Sequence, residues 1–302
     1  MSPAAIALVL TAAIAHASWN LFSKQAAATG AVFFLWLLAM SATLIYLPVV
    51  LVASLLTSPH LTALNWVFLA GTGVIQAGYF LFLQLGYGLG DLSLVYPVGR
   101  GTGALLAATA GIVLLGERPA AIAIIGIAAI IAGVAAISLP NRADSAARPS
   151  PTAGVRGGRP PLASTAIGFA LVTGAFIAAY TIWDKYAVGN LHTPPLLQGY
   201  AAFPFMALAF WPFVARDRTR LATVAREFRP QILGAGALAP LAYILVLAAL
   251  SFTAVSAIAP AREVSVLFGV LLGRRLLGEG GLARRLAGAA LIVAGIIAIA
   301  LG

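Results

Sequence analysis

The chain has 302 residues, 62% hydrophobic and 9% charged, with no cysteine and a formal net charge of +10, and its mean hydropathy is +1.02. A soluble domain carries roughly 25% charged residues, so this composition excludes a water-facing surface of the necessary size and makes lipid the solvent. The lack of cysteine excludes disulfides and thiolate metal sites, and His16, His60 and His192 are scattered without zinc spacing. The arginines fall mostly between apolar runs, as topology signals rather than a nucleic-acid surface.

A membrane-spanning helix needs about 20 mostly apolar residues. Ten such segments are predicted in chain order, near 4–24, 31–54, 64–87, 92–115, 120–139, 164–186, 194–215, 230–250, 254–275 and 284–301. The first lacks a positive region before it and reads as a helix rather than a signal peptide. Gly99-x-x-x-Gly103 and Gly269-x-x-x-Gly273 suit close packing of helices in lipid. Residues 140–163 break the pattern with Pro140, Pro149, Pro151, Pro160, Pro161 and four arginines, the composition of a flexible linker.

The two sides of that linker repeat one another. Leu-Leu-Gly116-Glu117 returns as Leu-Leu-Gly278-Glu279, and Gly126 and Gly133 return as Gly288 and Gly295. Trp19-Asn-Leu-Phe-Ser-Lys24 corresponds to Tyr180-Thr-Ile-Trp-Asp-Lys185. Ser93 and Pro97 correspond to Ser256 and Pro260, which sets Arg100 opposite Glu263. The expected organisation is therefore residues 1–139 as a first five-helix repeat, 140–163 as linker and 164–302 as a second repeat. An odd number of spans makes the second copy enter the membrane from the opposite side. The fold class expected is all-α integral membrane, ten transmembrane helices in two inverted five-helix repeats around a central cavity, an architecture common among secondary transporters.

Three groups of residues carry a resemblance: His16-Ala-Ser-Trp19-Asn20 with Lys24, Gly90-Asp91-Leu-Ser93-Leu-Val-Tyr96-Pro97 with Arg100, and the paired Gly-Glu turns. With ten spans and the duplication, the chain resembles the drug/metabolite transporter superfamily, in its EamA-type branch, over nearly its whole length outside the linker. The resemblance implies a ten-helix basket around a central cavity, alternating access without ATP hydrolysis, and movement of amino acids, other small metabolites or drugs, often outward.

Ionised side chains inside a bilayer usually face a cavity or a partner. Arg100 lies about 12 Å into the fourth span at 1.5 Å per residue, on one face with Tyr96 and one turn after Pro97. It is either an anion-binding or gating group, or a structural ion pair or snorkelling side chain. Glu263 is the only acidic residue clearly inside a span, and it pairs with Arg100, binds a cationic group or carries a proton. Its neighbour Arg262 points about 100° away on a regular helix, so the two are not expected to face each other. Lys24 and Lys185 end equivalent helices, as snorkelling groups or substrate contacts. Trp19, Asn20, Gln76, Tyr79, Tyr180 and Trp183 are candidates to line the cavity, the alternative for the aromatic ones being interface anchorage. His16 is a proton relay or a satisfied polar group, and Glu117 and Glu279 read as structural. The substrate-binding set is thus Arg100, Glu263, Tyr96, Trp19, Asn20, Tyr79, Tyr180, Lys24 and Arg262.

No phosphate-binding loop, metalloprotease motif or nucleophile elbow occurs in the sequence, so no catalytic residue, metal or cofactor is expected. Apart from Arg100 and Arg262, one side of the predicted topology collects Lys24 and the arginines of residues 142–159, 216–229 and 274–285, fourteen basic residues against Arg118 and Lys185 on the other. The positive-inside rule places the first set in the cytoplasm and both termini outside, whereas the resemblance implies termini inside. The reading is a secondary transporter, an exporter of small organic metabolites in the cytoplasmic membrane. Its partners are a small-molecule substrate, the lipid bilayer and a coupling proton, without nucleic acid. The alternative is a membrane protein that transports nothing, a channel-like or sensory scaffold.

Overall fold

The computed structural model describes residues 1–90, 92–138, 163–277 and 282–301. Among the described residues the chain is helical without strands. The helices are α1 (Pro3–Gln25), α2 (Ala31–Thr57), α3 (Ala63–Leu89), α4 (Leu92–Leu114), α5 (Ala121–Ser138), α6 (Ala163–Gly189), α7 (Pro195–Val214), α8 (Arg218–Glu227), α9 (Arg229–Leu250), α10 (Val255–Ala261), α11 (Val264–Leu277) and α12 (Leu282–Leu301). Six of them, α1, α2, α3, α6, α7 and α9, are long and apolar enough to cross a membrane, and α4 and α5 contain shorter apolar helices. The predicted linker lies almost wholly outside the described residues, as do Asp91 and Glu279 and the side chains of Ser93, Pro97 and Gly273.

Local chemistry sets the helix starts. The Ser2 hydroxyl accepts the Ala5 N–H at 3.2 Å, with Pro3 in the first turn, where it gives up no helical hydrogen bond. Thr62 and Asn65 form a reciprocal capping box on α3. The outward sides are apolar: Leu44, Val49, Leu51, Val52, Leu55 and Leu56 of α2 are all exposed. In lipid these need no further cover, because the backbone polar groups are satisfied within the helices.

Small residues let the helices meet. A Cβ on Gly133 of α5 would stand 2.5 Å from the Gly288 carbonyl oxygen of α12, and one on Gly295 2.5 Å from the Gly126 carbonyl oxygen. The contact is thus reciprocal, each helix presenting glycine to the other's backbone. The same matching recurs elsewhere. Phe22 of α1 lies against Gly234 of α9, as Trp183 of α6 lies against Gly71 of α3. Lys24 Nζ donates to the carbonyls of Tyr87 and Gly90 at 2.9 and 2.8 Å, and Lys185 Nζ to those of Leu250 and Thr253 at 2.8 and 3.0 Å. Both lysines therefore satisfy carbonyls at the end of a helix that has no further turn to receive them. Gly99 and Gly103 face Ala170 and Ile177 of α6, which makes that glycine pair a packing contact.

The structure corrects two elements. The predicted span 254–275 is broken into α10 and α11, with Arg262 and Glu263 in the turn between. Pro260 has no N–H to give the Ser256 carbonyl and its ring crowds that turn. The backbone then tightens, with Glu263 N donating to Pro260 O, Ser265 N to Arg262 O and Val266 N to Glu263 O at 2.9, 3.1 and 2.9 Å, the i→i+3 pattern of a 3₁₀ turn. The basic stretch between the predicted spans 194–215 and 230–250 is itself helical. It forms α8, capped by Asp217, whose side chain accepts the Arg220 N–H at 2.9 Å.

Candidate functional site

Arg100 on α4 and Glu263 in the α10–α11 turn meet at the centre. Arg100 Nη2 stands 3.1 Å from Glu263 Oε1, and its Nε donates to Oε2 at 3.3 Å. The residues come from opposite halves of the chain and are 2% and 0% exposed, so neither charge is shared with water. Arg262 lies 3.7 Å from the same Oε1 through its Nε. This corrects the expectation that adjacent residues point apart, because the 3₁₀ turn replaces regular helical geometry at this place. Arg262 Nη2 also donates to Thr181 Oγ1 at 3.2 Å, and its guanidinium sits 5.9 Å from the Tyr180 ring centre.

Aromatic residues enclose the charges. Tyr96, one turn before Arg100, packs against Gly269 and donates to Ser265 Oγ at 2.8 Å. Tyr79 meets Tyr180 edge-on at 5.4 Å, and Tyr180 meets Tyr243 edge-on at 5.2 Å. Tyr79, Tyr96 and Tyr180 lie within electrostatic reach of Arg100, and His16 within reach of both arginines. His16 Nδ1 accepts the Trp19 indole N–H at 3.0 Å, which leaves its proton on Nε2. Asn20 donates to the His16 carbonyl and accepts from the Tyr87 hydroxyl.

Of the predicted site residues, the structure therefore gathers Arg100, Glu263, Arg262, Tyr96, Tyr79 and Tyr180. Trp19 and Asn20 are buried in the adjoining His16 network. Lys24 is placed on the α3 terminal carbonyls instead, and Trp183 on Phe68, with its Nε1 donating to the Phe68 carbonyl at 2.9 Å. Gln76 is buried, with no hydrogen-bond partner for its Nε2 among the described residues. The expected cavity residues are closed over: Trp19, Asn20, Tyr79, Tyr96, Arg100, Tyr180 and Glu263 are each at most 4% exposed.

Two arginines facing one carboxylate leave a surplus positive charge at this cluster. Arg100 Nη1, Arg262 Nε and Gln76 Nε2 have no hydrogen-bond acceptor among the described residues. Unmet buried donors are costly, and a ligand carrying an acceptor or an anionic group would satisfy them.

Sequence reasoning missed Asp184, and Glu263 is not the only acidic residue inside a span. Asp184 lies within α6 with no exposed surface. Its Oδ1 accepts from the Thr72 hydroxyl and from Gln198 Nε2 at 2.7 Å, and its Oδ2 from the Tyr243 hydroxyl. The flanking Trp183 and Lys185 disguised it as part of a helix end. Its signal was a carboxylate one turn after Thr181, on the face that carries Tyr180.

Residues 164–301 match the model of the EamA-like transporter family. No curated protein matches the chain. Twenty-five chains of solved structures do. One of them, described only as "Crystal structure of protein", is 16% identical, with 98% of each chain covered and a TM-score of 0.64. That likeness concerns the fold alone.

Proposed function

We propose that this chain, an EamA-type protein of the drug/metabolite transporter superfamily, is a secondary carrier that exports small organic metabolites by alternating access. Membership supplies the coarse frame, a multi-pass membrane protein of a small-molecule transporter family. The finer reading is ours: ten spans, with α10 and α11 together making the ninth, in two inverted five-helix repeats, residues 1–139 and 164–302, joined by the segment 140–163. The reciprocal α5–α12 contact, the paired lysine caps and the matched Phe22 and Trp183 contacts support it. Inverted halves give one site two equivalent ways to open, which a carrier uses.

The observation that carries the reading is the buried Arg100–Glu263 pair with Arg262 beside it, at the junction of matching helices. In this occluded arrangement Glu263 holds both guanidiniums. An incoming carboxylate or other acceptor competes for Arg100 and Arg262, releases Glu263 and loosens the joint between α4 and the α10–α11 turn. Tyr79, Tyr96 and Tyr180 offer flat faces to an organic body. The protein works in the cytoplasmic membrane, its energy drawn from a gradient.

Purified protein in proteoliposomes tests this with radiolabelled amino acids as the first panel, followed by other small organic anions. A carrier gives saturable uptake that is accelerated by the same compound on the far side. A scaffold gives neither, and a channel gives flux without counterflow.

A further inference from the structure

Asp184 is a buried carboxylate that the reading above does not use. Three hydrogen bonds reach it from three helices, Thr72 on α3, Gln198 on α7 and Tyr243 on α9, yet among the described residues no cation pairs with it. Burial without a counter-ion penalises the ionised form, while three donors favour it.

Its surroundings connect it to the arginines. Tyr243 packs edge-on against Tyr180, over which Arg262 lies, and Arg262 donates to Thr181, one turn from Asp184 on the same helix. The adjacent Lys185 is committed elsewhere, to the carbonyls of Leu250 and Thr253. Counted over the whole buried network, Arg100 and Arg262 balance Glu263 and Asp184 when both acids are ionised. A proton on Asp184 leaves one positive charge in excess.

The duplication itself argues against a merely structural role. Lys24 matches Lys185 in its contacts, so Ser23 is the counterpart of Asp184. Gly71 and Gly234 match, so Ala235 is the counterpart of Thr72. The Trp19–Phe80 ring pair at 5.3 Å matches Tyr180–Tyr243 at 5.2 Å, so Phe80 is the counterpart of Tyr243. The counterpart joint thus combines Ser23 and Phe80 of the first half with Ala235 of the second, all buried, without a carboxylate or donors at the places of Thr72 and Tyr243. The packing does not require the acid.

We infer that Asp184 is a reversible proton-binding site whose occupancy sets the net charge of the buried arginine network. Protonation puts a hydrogen on Oδ2 and turns the Tyr243 hydroxyl from donor to acceptor; the proton comes from water and no other bond breaks. Within the carrier reading, on which its use though not its binding rests, this is the coupling proton, and an anion is accepted more readily once Asp184 is neutral.

Infrared difference spectra of purified protein between about pH 9 and pH 5 cover the range in which buried acids titrate. Wild type should gain a protonated-carboxyl band that D184N lacks and E263Q keeps, and D184N should take up about one proton fewer per chain in parallel titration. Y243F and T72V each remove a hydrogen bond without the acid, so each should shift the band. A band lost in E263Q and kept in D184N, an unshifted band in Y243F, or no band at all overturns the inference. Counterflow is measured on the same preparations. A band without counterflow would sink the carrier reading alone, and counterflow without a band would sink this inference alone.

Discussion

Removing one member of the Arg100–Glu263 pair leaves the other uncompensated in a site closed to water. The loss for a fully buried pair is on the order of 3–5 kcal/mol. Arg100→Ala and Glu263→Ala should each abolish transport and lower folded yield, while the double variant should recover yield better than either, though not transport. Arg262 softens the Glu263 half of this asymmetry, because Arg100→Ala leaves Glu263 one guanidinium at 3.7 Å. Glu263→Ala should therefore be the more damaging single change. Strictly additive losses in unfolding midpoint would deny a direct pair. The pair was legible in sequence because two matching prolines put it in register. Arg262 was not, since its approach to Glu263 depends on a 3₁₀ turn that no helical wheel contains. Asp184 was hidden for a related reason: its partners come from α3, α7 and α9, far apart in the chain.

Element boundaries were legible wherever an apolar run meets a cap, as at Ser2 and Thr62. The break between α10 and α11 was not, although its cause, Pro260, was in view. Proline inside α2, α7 and α9 leaves those helices continuous, so proline alone does not decide where a helix parts. What distinguishes α10 is its far end, where Glu117 reaches across from the turn after α4. Its Oε1 and Oε2 accept the N–H groups of Val255 and Ser256 at 2.7 and 2.8 Å. Gly116, at φ 66°, gives the chain the left-handed turn that aims Glu117 there. Glu117→Ala should cost about 1–2 kcal/mol through the lost cap, read as a lower unfolding temperature, and Glu117→Gln should cost less. Equal stability in all three would mean that solvent already satisfies α10. Between α5 and α12 the close approach is set by backbone oxygen. Gly133→Ala should then destabilise by about 1–3 kcal/mol, as overpacking does, and a neutral result would show that the two helices can part freely.

At the scale of the molecule, basic residues among the described ones sort by end. Arg220 of α8 donates to the Thr29 carbonyl at 3.0 Å, near Lys24, and its guanidinium lies 5.0 Å from the Phe33 ring centre. Lys185, Glu117 and Arg118 lie together with Met1 at the Thr253–Ser256 end. That segregation supports a cytoplasmic α8 end and external termini. An alkaline phosphatase fused after Gly302 should be active, and a fluorescent protein there dark; the reverse pair would place both termini inside, as the family resemblance implies. The repeated motifs were legible in the sequence, but the closure of the site was not, because such motifs pair residues and do not say which state is occupied. Alternating access is the central claim, and the chain has no cysteine of its own, so one introduced thiol reports without background. Ser265 is fully buried at the Tyr96 hydroxyl, and Ser265→Cys changes little there. In proteoliposomes an impermeant thiol reagent should label it from either side, more slowly once a transported compound is bound. Labelling from one side only, or from neither, would contradict a site that opens to both.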